Sequence, residues 1–296
     1  YAQETYIRKA LEPDYEVIVV PHDKTYSYFR QMKKNIDNSS VITLIGGGNS
    51  GTLYEFIEEP RRFILKFFKD CRIISFPQSV FYDDNQAMFA YKTEFIKLCK
   101  KCKKLTLVAR EEQSYLIYKK LLGNTTEVLL TPDIVFGFEL EQKGAERIGV
   151  SFIFRKDKEK AISEQTQYII EETCKRMFDS ISYNDTCDVE IDGSGYAELT
   201  ALINIISKKS LVVTDRLHGM ILAYITNTPC IAIDNNNHKI ESTYYTWLKD
   251  QSLIYMLHNS CDIEHAINLV MKGERKNLKK DLDIIKIALK GKENGR

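Results

Sequence analysis

A histidine two positions after an arginine is the pattern in this chain that most directly suggests chemistry. Arg216 and His218 closely follow Leu211–Val213, an apolar run typical of a buried strand. Thr214 and Asp215 are residue types that cap helices, so we expect a helix to begin here. A guanidinium beside the free N–H groups of a helix start suits a carboxylate or phosphate, and imidazole transfers protons near neutral pH. The segment therefore predicts an anion site with an acid–base group.

A second arginine occupies a similar position earlier in the chain. Arg110 follows the apolar run Leu105–Val108 and opens a helical pattern. An arginine at a helix start opposes the helix dipole, and local rules tend to be broken where function requires it. The alternative is a salt bridge with Glu111 or Glu112. We expect Arg110 and Arg216 to face one cleft and to serve a small ligand with more than one negative charge.

The glycine-rich segment Gly46–Gly51 literally matches the dinucleotide-binding fingerprint. Such a site also needs an acidic residue at the end of the next strand. The next strand pattern, Arg72–Phe76, runs into Pro77, and no carboxylate follows until Asp83. A nicotinamide cofactor is therefore disfavoured. What remains is a loop whose glycines let backbone amides approach a ligand, or a tight turn that binds nothing.

Short apolar runs alternate with helical segments through the whole chain. Apolar side chains on both faces of such strands predict parallel sheets covered by helices, that is, doubly wound α/β domains of the Rossmann type. A polar break at residues 141–146 predicts domains at 1–145 and 146–296, the second ending in a lysine-rich helix. The predicted strands are Glu16–Val20, Val41–Ile45, Arg72–Phe76, Leu105–Val108, Glu127–Leu130, Ile148–Phe154, Leu211–Val213 and Cys230–Ile233.

The bulk composition narrows the class of protein. The net charge of +1, from 42 basic and 41 acidic side chains, argues against nucleic-acid binding. Seven cysteines without framework spacing predict reduced thiols and a cytoplasmic protein. No apolar stretch approaches the ~20 residues of a membrane span, although the lysine-rich helix leaves peripheral membrane contact as an alternative. Four of the histidines are scattered in the sequence, so we expect no metal site: His22, His238, His258 and His265.

The segment Val212–Ala223, continued by Thr228–Ile233, resembles the signature of the polysaccharide pyruvyl transferase family, in which Arg-Leu-His-Gly follows an apolar strand. The resemblance extends from about Tyr1 to Leu248. It implies a fold similar to that of two-domain GT-B glycosyltransferases. Similar loops of the family line the cleft, and here they correspond to Gly46, Gly47, Gly48, Asn49, Gln78 and Ser79.

The resemblance also implies a reaction. Members of the family transfer a pyruvyl group from phosphoenolpyruvate to two hydroxyls of a sugar, forming a cyclic ketal in cell-surface or exopolysaccharide synthesis. The implied partners are phosphoenolpyruvate and a saccharide carried by a lipid, a nucleotide or a polymer, without a cofactor or metal. His218 and Arg216 are implied as catalytic. The implied donor-binding residues are Arg110, Arg216, Leu217, Lys239 and Ser114.

One departure from the family pattern concerns the N terminus. The family begins with a strand and a Gly-Asn-x-Gly-Asp loop, which do not precede Tyr1 here. We therefore expect a trimmed chain that starts in the helix after that loop.

Two other functions stay open. A GT-B glycosyltransferase that uses a nucleotide sugar needs an aromatic side chain and a carboxylate for the nucleoside, and Tyr196 and Glu198 are candidates. A non-catalytic relative that binds an anion or a sugar is the second alternative. The polar loop Asp234–His238 either contacts the sugar or is only a turn.

Overall fold

The chain folds into two compact units. The computed structural model describes residues 1–37, 39–83, 86–138, 146–157, 159–184, 195–274 and 283–290, with backbone alone at 86–88, 195–196 and 198. One unit comprises Tyr1–Ile134 and Lys280–Arg296, and the other comprises Val135–Lys279. The chain thus divides before residue 145, and the polar break predicted as the boundary lies mostly outside the described residues.

Five parallel strands form the sheet of the first unit. They are β1 (Val41–Leu44), β2 (Gly47–Gly51), β3 (Arg72–Phe81), β4 (Lys104–Ala109) and β5 (Glu127–Leu130). The order is β1-β3-β4-β5, and β2 also pairs with β3, beyond the end of β1. The glycine segment predicted as a loop is therefore largely a strand. Gly51, at φ +105°, allows this because a Cβ there would lie 1.8 Å from the Phe81 carbonyl oxygen.

The prediction that a strand ends at Phe76 is wrong, since β3 continues through Pro77 to Phe81. Proline lacks a backbone donor and is tolerated in a sheet only at irregularities or edges. Both neighbours of β3 are irregular at this point. The pairing with β4 shifts register between Ser75 and Gln78, and the partner on the other side changes from β1 to β2. Gln78 and Ser79 thus lie within a strand.

The predicted strand Glu16–Val20 is also wrong. These residues are described and form no strand. The side chains of Ile18 and Val19 are 64% and 52% exposed, so the apolar run has no sheet against which to pack.

Helices flank the sheet of the first unit, and the last of them comes from the C-terminal end of the chain. Ile285 and Leu289 of this helix are fully buried, and it contacts the first helix and β3. It therefore belongs to the first unit, whereas the sequence analysis assigned it to the second domain. The helices are α1 (Ala2–Leu11), α2 (Phe29–Asn35), α3 (Glu55–Phe67), α4 (Gln86–Lys101), α5 (Glu112–Leu122) and, at the end of the chain, α11 (Asp283–Lys290).

The second unit contains another five-stranded parallel sheet. Its strands are β6 (Val150–Ile153), β7 (Ile181–Tyr183), β8 (Leu211–Thr214), β9 (Cys230–Ile233) and β10 (Ile254–Leu257). The order β10-β9-β8-β6-β7 means that the chain leaves β6 first to one side and then to the other. In open parallel sheets, ligands bind at the carboxyl ends of the strands where the order reverses. Here that point lies between β6 and β8.

The helices of the second unit are α6 (Glu164–Met177), α7 (Gly195–Ser207), α8 (Leu217–Ile225), α9 (Lys239–Thr243) and α10 (Ile263–Val270); a π-helical turn, Tyr244–Leu248, continues α9. No helix within the described ranges has the length and apolar character needed to cross a membrane. The prediction of an α/β fold with parallel sheets is confirmed. The Rossmann-like two-domain arrangement and the likeness to GT-B enzymes stay predictions.

Candidate functional site

The segment around Arg216 forms a strand-to-helix turn at the carboxyl end of β8. The helix α8 begins at Leu217, and Arg216 is its N-cap residue. The predicted cap is wrong in detail, because Thr214 Oγ1 accepts from the Arg216 N–H at 3.0 Å and donates to the Ile153 carbonyl at 2.9 Å. Thr214 thus ties the turn to the end of β6.

His218 is the one exposed residue of α8. The other eight of its nine residues are buried, including Leu217. A helix that is apolar on all sides belongs in a core. A polar side chain that leaves such a helix towards solvent is positioned for contact with a ligand. His218 lies at this position, two residues after Arg216.

Arg216 shares a carboxylate with an arginine from a neighbouring strand end. Arg155, just beyond β6, donates from Nε to Asp157 Oδ1 and from Nη2 to Asp157 Oδ2, both at 2.9 Å. Arg216 donates from Nη1 to Asp157 Oδ2 at 3.2 Å. Partial burial raises the pKa of Asp157, but hydrogen bonds from Arg155 and the Glu159 N–H, with both guanidinium charges, lower it to about 2. Two guanidinium groups therefore hold one carboxylate at the reversal point of the sheet.

The buried carboxylate of Glu159, two residues after Asp157, accepts several hydrogen bonds. Its Oε2 receives Arg155 Nη2 at 2.9 Å and Lys239 Nζ at 2.5 Å. The side-chain amides of Asn235 and Asn237 donate to the same oxygen at 3.1 and 3.2 Å. Lys239, predicted to hold the donor, is therefore bound to Glu159 and lies beside Arg155 in the same network.

A third carboxylate of this region, Asp215, lies in the turn itself and is fully buried. Its Oδ1 accepts from the Arg155 N–H at 2.7 Å, while its buried Oδ2 has no hydrogen-bond partner among the described residues. Burial raises the pKa of Asp215 to about 6, against the hydrogen bond from Arg155 and the charges of Arg155 and Arg216. Asp215 therefore positions the backbone of Arg155 and holds its proton more tightly than an ordinary aspartate.

Arg110 lies in a different environment, within the first unit. It precedes α5 rather than opening it, because α5 begins at Glu112. Its side chain is 2% exposed, and Nη1 donates to Asp133 Oδ2 at 2.8 Å. Its Nε donates to Ser79 Oγ at 2.8 Å and lies 3.6 Å from Glu111 Oε2. The salt bridge with Glu111, which the sequence left open as the alternative, is therefore present.

The predicted residues Ser79 and Ser114 surround the same buried acid. Glu111 accepts from both serine hydroxyls, from Ser79 at 2.9 Å, and Ser114 accepts from the Val80 N–H at 2.7 Å. Burial raises the pKa of Glu111, against the charge of Arg110 and the serine hydrogen bonds. This network fastens α5 to β3, so these residues have a structural function whether or not they contact a donor.

Arg61 of α3 helps to hold the glycine segment in place. Asn49 is buried and donates to the Gly46 carbonyl at 3.1 Å. Arg61 donates to Asn49 Oδ1 at 2.7 Å and also forms a buried ion pair with Glu58. Gln78 donates to the Ile45 carbonyl at 3.0 Å, where β1 gives way to β2. These contacts fix the backbone of Gly46, Gly47 and Gly48; whether the segment binds a ligand stays a prediction.

Several charged residues of this region were not predicted from the sequence, including Arg155, Asp157 and Glu159. A signal for Arg155 was present, because it follows an apolar strand as Arg110 does. The acids carry no comparable signal in a chain rich in charged residues. The side chains of Tyr196 and Glu198, the candidates for a nucleoside site, lie outside the described residues.

A group of possible metal ligands was also missed. The histidines are scattered along the sequence, yet ligand atoms of Asp234, His238 and Glu241 lie within 4.8 Å of one another. His258 lies outside this group of three but contacts one member, with Nδ1 at 3.6 Å from Glu241 Oε1. Two histidines separated along the chain thus flank one pair of carboxylates.

The chain is similar to several known proteins. The chain is 32% identical over 281 residues to General stress protein 30 of Bacillus subtilis, covering 93% of this chain and 80% of that protein. It is 28% identical over 247 residues to Pyruvyl transferase 1 of Schizosaccharomyces pombe, covering 78% and 61%. A crystal structure of an uncharacterised protein from Klebsiella pneumoniae aligns with a TM-score of 0.48 and 20% identity, covering 76% and 81%.

A family pattern also matches most of the chain. Residues 1–237 match the sequence pattern of the family described as Polysaccharide pyruvyl transferase. That range includes β1 to β9 and the turn that carries Arg216 and His218. The chain belongs to the polysaccharide pyruvyl transferase family.

Proposed function

We propose that this protein transfers the pyruvyl group of phosphoenolpyruvate to two hydroxyls of a saccharide, forming a cyclic ketal, as a step in polysaccharide synthesis. The observation that carries the proposal is that Arg155 and Arg216 hold one carboxylate at the carboxyl ends of β6 and β8. Phosphoenolpyruvate bears a carboxylate and a phosphate, and a guanidinium fork matches either group. Membership of the family supports the same reaction class.

In this proposal, Asp157 occupies the position of an anionic group of the donor. Its side chain is 40% exposed, so it can turn towards solvent, whereas the side chains of Arg155 and Arg216 are 6% and 10% exposed. A buried guanidinium left without a partner is costly. Replacing one carboxylate by another avoids that cost. The two arginines need not move, because the ion pair between Glu159 and Arg155 is kept.

The chemistry of ketal formation defines what the remaining residues must do. A proton adds to the methylene carbon of phosphoenolpyruvate, and the central carbon becomes an oxocarbenium-like centre. One sugar hydroxyl bonds to that carbon and loses its proton. The bond between the carbon and the phosphate oxygen breaks, and inorganic phosphate leaves with the electron pair. A second hydroxyl then bonds to the same carbon and loses its proton, which closes the ring.

His218 is the acid–base group in this scheme. It is exposed at the start of α8, and an imidazole can act either as an acid or as a base. The positive end of the helix dipole favours a phosphate beside it. His218 donates the proton to the methylene carbon, or accepts one from a hydroxyl, while Arg216 neutralises the donor. The scheme requires no cofactor besides the donor substrate.

Ligand-dependent stability tests the donor site. A ligand that binds only the native state adds about 2.7 kcal/mol of stability at a hundred times its Kd. We expect phosphoenolpyruvate to raise the unfolding temperature of the protein, and Arg155→Lys and Arg216→Lys to reduce that shift because lysine cannot form the fork. The control is Arg176→Lys, an exposed arginine of α6. Equal shifts in all four proteins would reject the proposed site.

Turnover tests the reaction itself. The protein is incubated with phosphoenolpyruvate and saccharides that have two neighbouring free hydroxyls, supplied free, lipid-linked or nucleotide-linked. We expect inorganic phosphate to be released. The saccharide should gain a ketal-bound methyl group, which proton NMR detects. Stabilisation by nucleotide sugars but not by phosphoenolpyruvate would instead favour a glycosyltransferase. Donor binding with no turnover on any acceptor would favour the non-catalytic relative.

A further inference from the structure

The carboxyl ends of β9 and β10 bring four side chains of metal-ligand type together. Asp234 directly follows β9, and Glu241 lies on α9. His238 precedes α9, and His258 directly follows β10. His238 Nδ1 lies 2.6 Å from Asp234 Oδ2, and His258 Nδ1 lies 3.6 Å from Glu241 Oε1. We propose that Asp234, His238 and Glu241 bind one divalent transition-metal ion of the zinc class, and that His258, which contacts Glu241, turns to become the fourth ligand.

Two distances between ligand atoms can be compared with those around a tetrahedral ion. Zinc binds histidine nitrogen and carboxylate oxygen at about 2.0–2.2 Å, which separates two tetrahedral ligands by roughly 3.3–3.5 Å. The pair formed by His258 and Glu241 is close to that separation at 3.6 Å. The pair formed by His238 and Asp234 is a hydrogen bond, and it opens by less than about 1 Å to admit an ion. The side chains are partly exposed, which gives the ion access.

Each end of the cluster is also held by a further contact of the kind found around metal ligands. Ligating histidines usually bond through their second ring nitrogen, and ligating carboxylates are themselves hydrogen-bonded. His258 Nε2 lies 3.3 Å from the Tyr245 hydroxyl, which leaves Nδ1 for the ion. Asp234 Oδ1 accepts from the Glu241 N–H at 3.1 Å, which leaves Oδ2. The first contact therefore fixes the ring orientation of His258, and the second fixes the carboxylate.

The donor set selects the class of ion. Two imidazole nitrogens and two carboxylate oxygens suit zinc and its neighbours, whereas magnesium and calcium prefer oxygen alone. The bound ion would join the loop after β9 to the end of β10. That loop also carries Asn235 and Asn237, which donate to Glu159. The ion would thus stiffen the loop after β9, which contacts Glu159, the ion-pair partner of Arg155. It would not enter the proposed reaction.

Titration calorimetry of the full chain with zinc chloride tests the site. We expect one tight site, weakened by His238→Ala, His258→Ala and Glu241→Gln. Loss of a ligand should cost at least the ~10–100-fold in affinity seen for residues that only support ligands. These side chains are at least one-third exposed, so the variants are expected to fold. His265→Ala, an exposed histidine of α10, is the matched control and should bind zinc unchanged.

Cobalt distinguishes this site from binding by a thiol, since Cys261 is exposed in the same unit. Cobalt bound by nitrogen and oxygen shows visible d–d bands without a thiolate charge-transfer band, and Cys261→Ser should leave those bands intact. Zinc affinity unchanged in His238→Ala and His258→Ala, or lost in Cys261→Ser, would overturn the proposal. Magnesium binding as tight as zinc binding would also overturn it.

Discussion

Lys239 donates through its Nζ to Glu159, a carboxylate that lies 80 positions earlier in the chain. The lysine side chain is 9% exposed and the glutamate side chain 2%. Because Glu159 also receives Arg155, one buried acid balances two cations and links the loops that follow β6 and β9. The residues proposed to hold the donor therefore depend on a charge that never reaches the surface.

Glu159→Gln should strongly destabilise the second unit. The glutamine would leave two buried cations short of a counter-charge, and breaking a buried pair typically costs about 3–5 kcal/mol. Urea unfolding followed by fluorescence of Trp247, the single tryptophan of the chain, measures the loss in this unit. Glu172→Gln is the matched control, since it breaks a surface pair with Lys175 that should contribute no more than about 1 kcal/mol. Equal effects of the two substitutions would show that Glu159 is not the centre we describe.

His218→Gln should separate catalysis from folding. General acid–base catalysis typically contributes ~10²- to 10⁴-fold, so kcat for ketal formation should fall by about that factor. The unfolding temperature should stay constant because His218 is exposed. Steady-state assays of phosphate release, with His265→Gln as the control, measure the difference. Undiminished turnover in His218→Gln would remove this residue from the mechanism.

Asp215 should make the stability of the second unit depend on pH. Its pKa is raised from 3.8 to about 6, so the native state holds a proton more tightly than the unfolded chain. Its contribution to stability is therefore complete below pH about 4 and is lost as pH rises through about 6. Asp215→Asn should remove this dependence, and the difference in unfolding free energy between variant and parent should change by on the order of 3 kcal/mol across that window.

Asp157→Asn is the control for that measurement. The pKa of Asp157 is lowered to about 2, so its contribution is present above pH about 4 and is lost only as pH falls through about 2. Its difference from the parent should be constant between pH 4.5 and 7. Parallel pH profiles for the parent and Asp215→Asn would contradict the assignment.

Gly219→Ala should disturb the turn that positions Arg216. An added Cβ would lie 2.4 Å from Thr214 Oγ1, the atom that accepts from the Arg216 N–H. Overpacking of this kind typically costs about 1–3 kcal/mol. Combining Gly219→Ala with Thr214→Ala relieves the contact, so the double variant should lose less stability in urea unfolding than the sum of the two single variants. Strict additivity would mean that the two residues do not interact.

The parts of the fold that the sequence predicts are those set by local pattern. The apolar runs at Leu105–Val108 and Cys230–Ile233 become β4 and β9, because strands buried on both faces need apolar residues at every position. The strand-to-helix turn at Arg216 was predictable for the same reason. The strand end predicted before Pro77 was wrong, since the place of Pro77 in β3 depends on irregular pairing with strands on both sides.

The counter-ions of the site were not predictable from the sequence. Asp157 binds Arg216 across 59 positions, and Glu159 binds Lys239 across 80. In a chain with 41 acidic residues, nothing local distinguishes these two from solvated ones. His258 presents the same difficulty, because only the adjacency of β9 and β10 brings it to Glu241.

The position of α11 has a practical consequence for anyone who divides this protein into fragments. The backbone starts the first unit, builds the second and then returns to finish the first, where Ile285 and Leu289 fill its core. Expression of residues 1–134 alone would therefore yield a fragment in which the apolar surface of α1 and β3 that contacts α11 is left uncovered. A fragment that reproduces that unit needs both of its segments, joined by a short artificial linker or supplied as two polypeptides that reassociate.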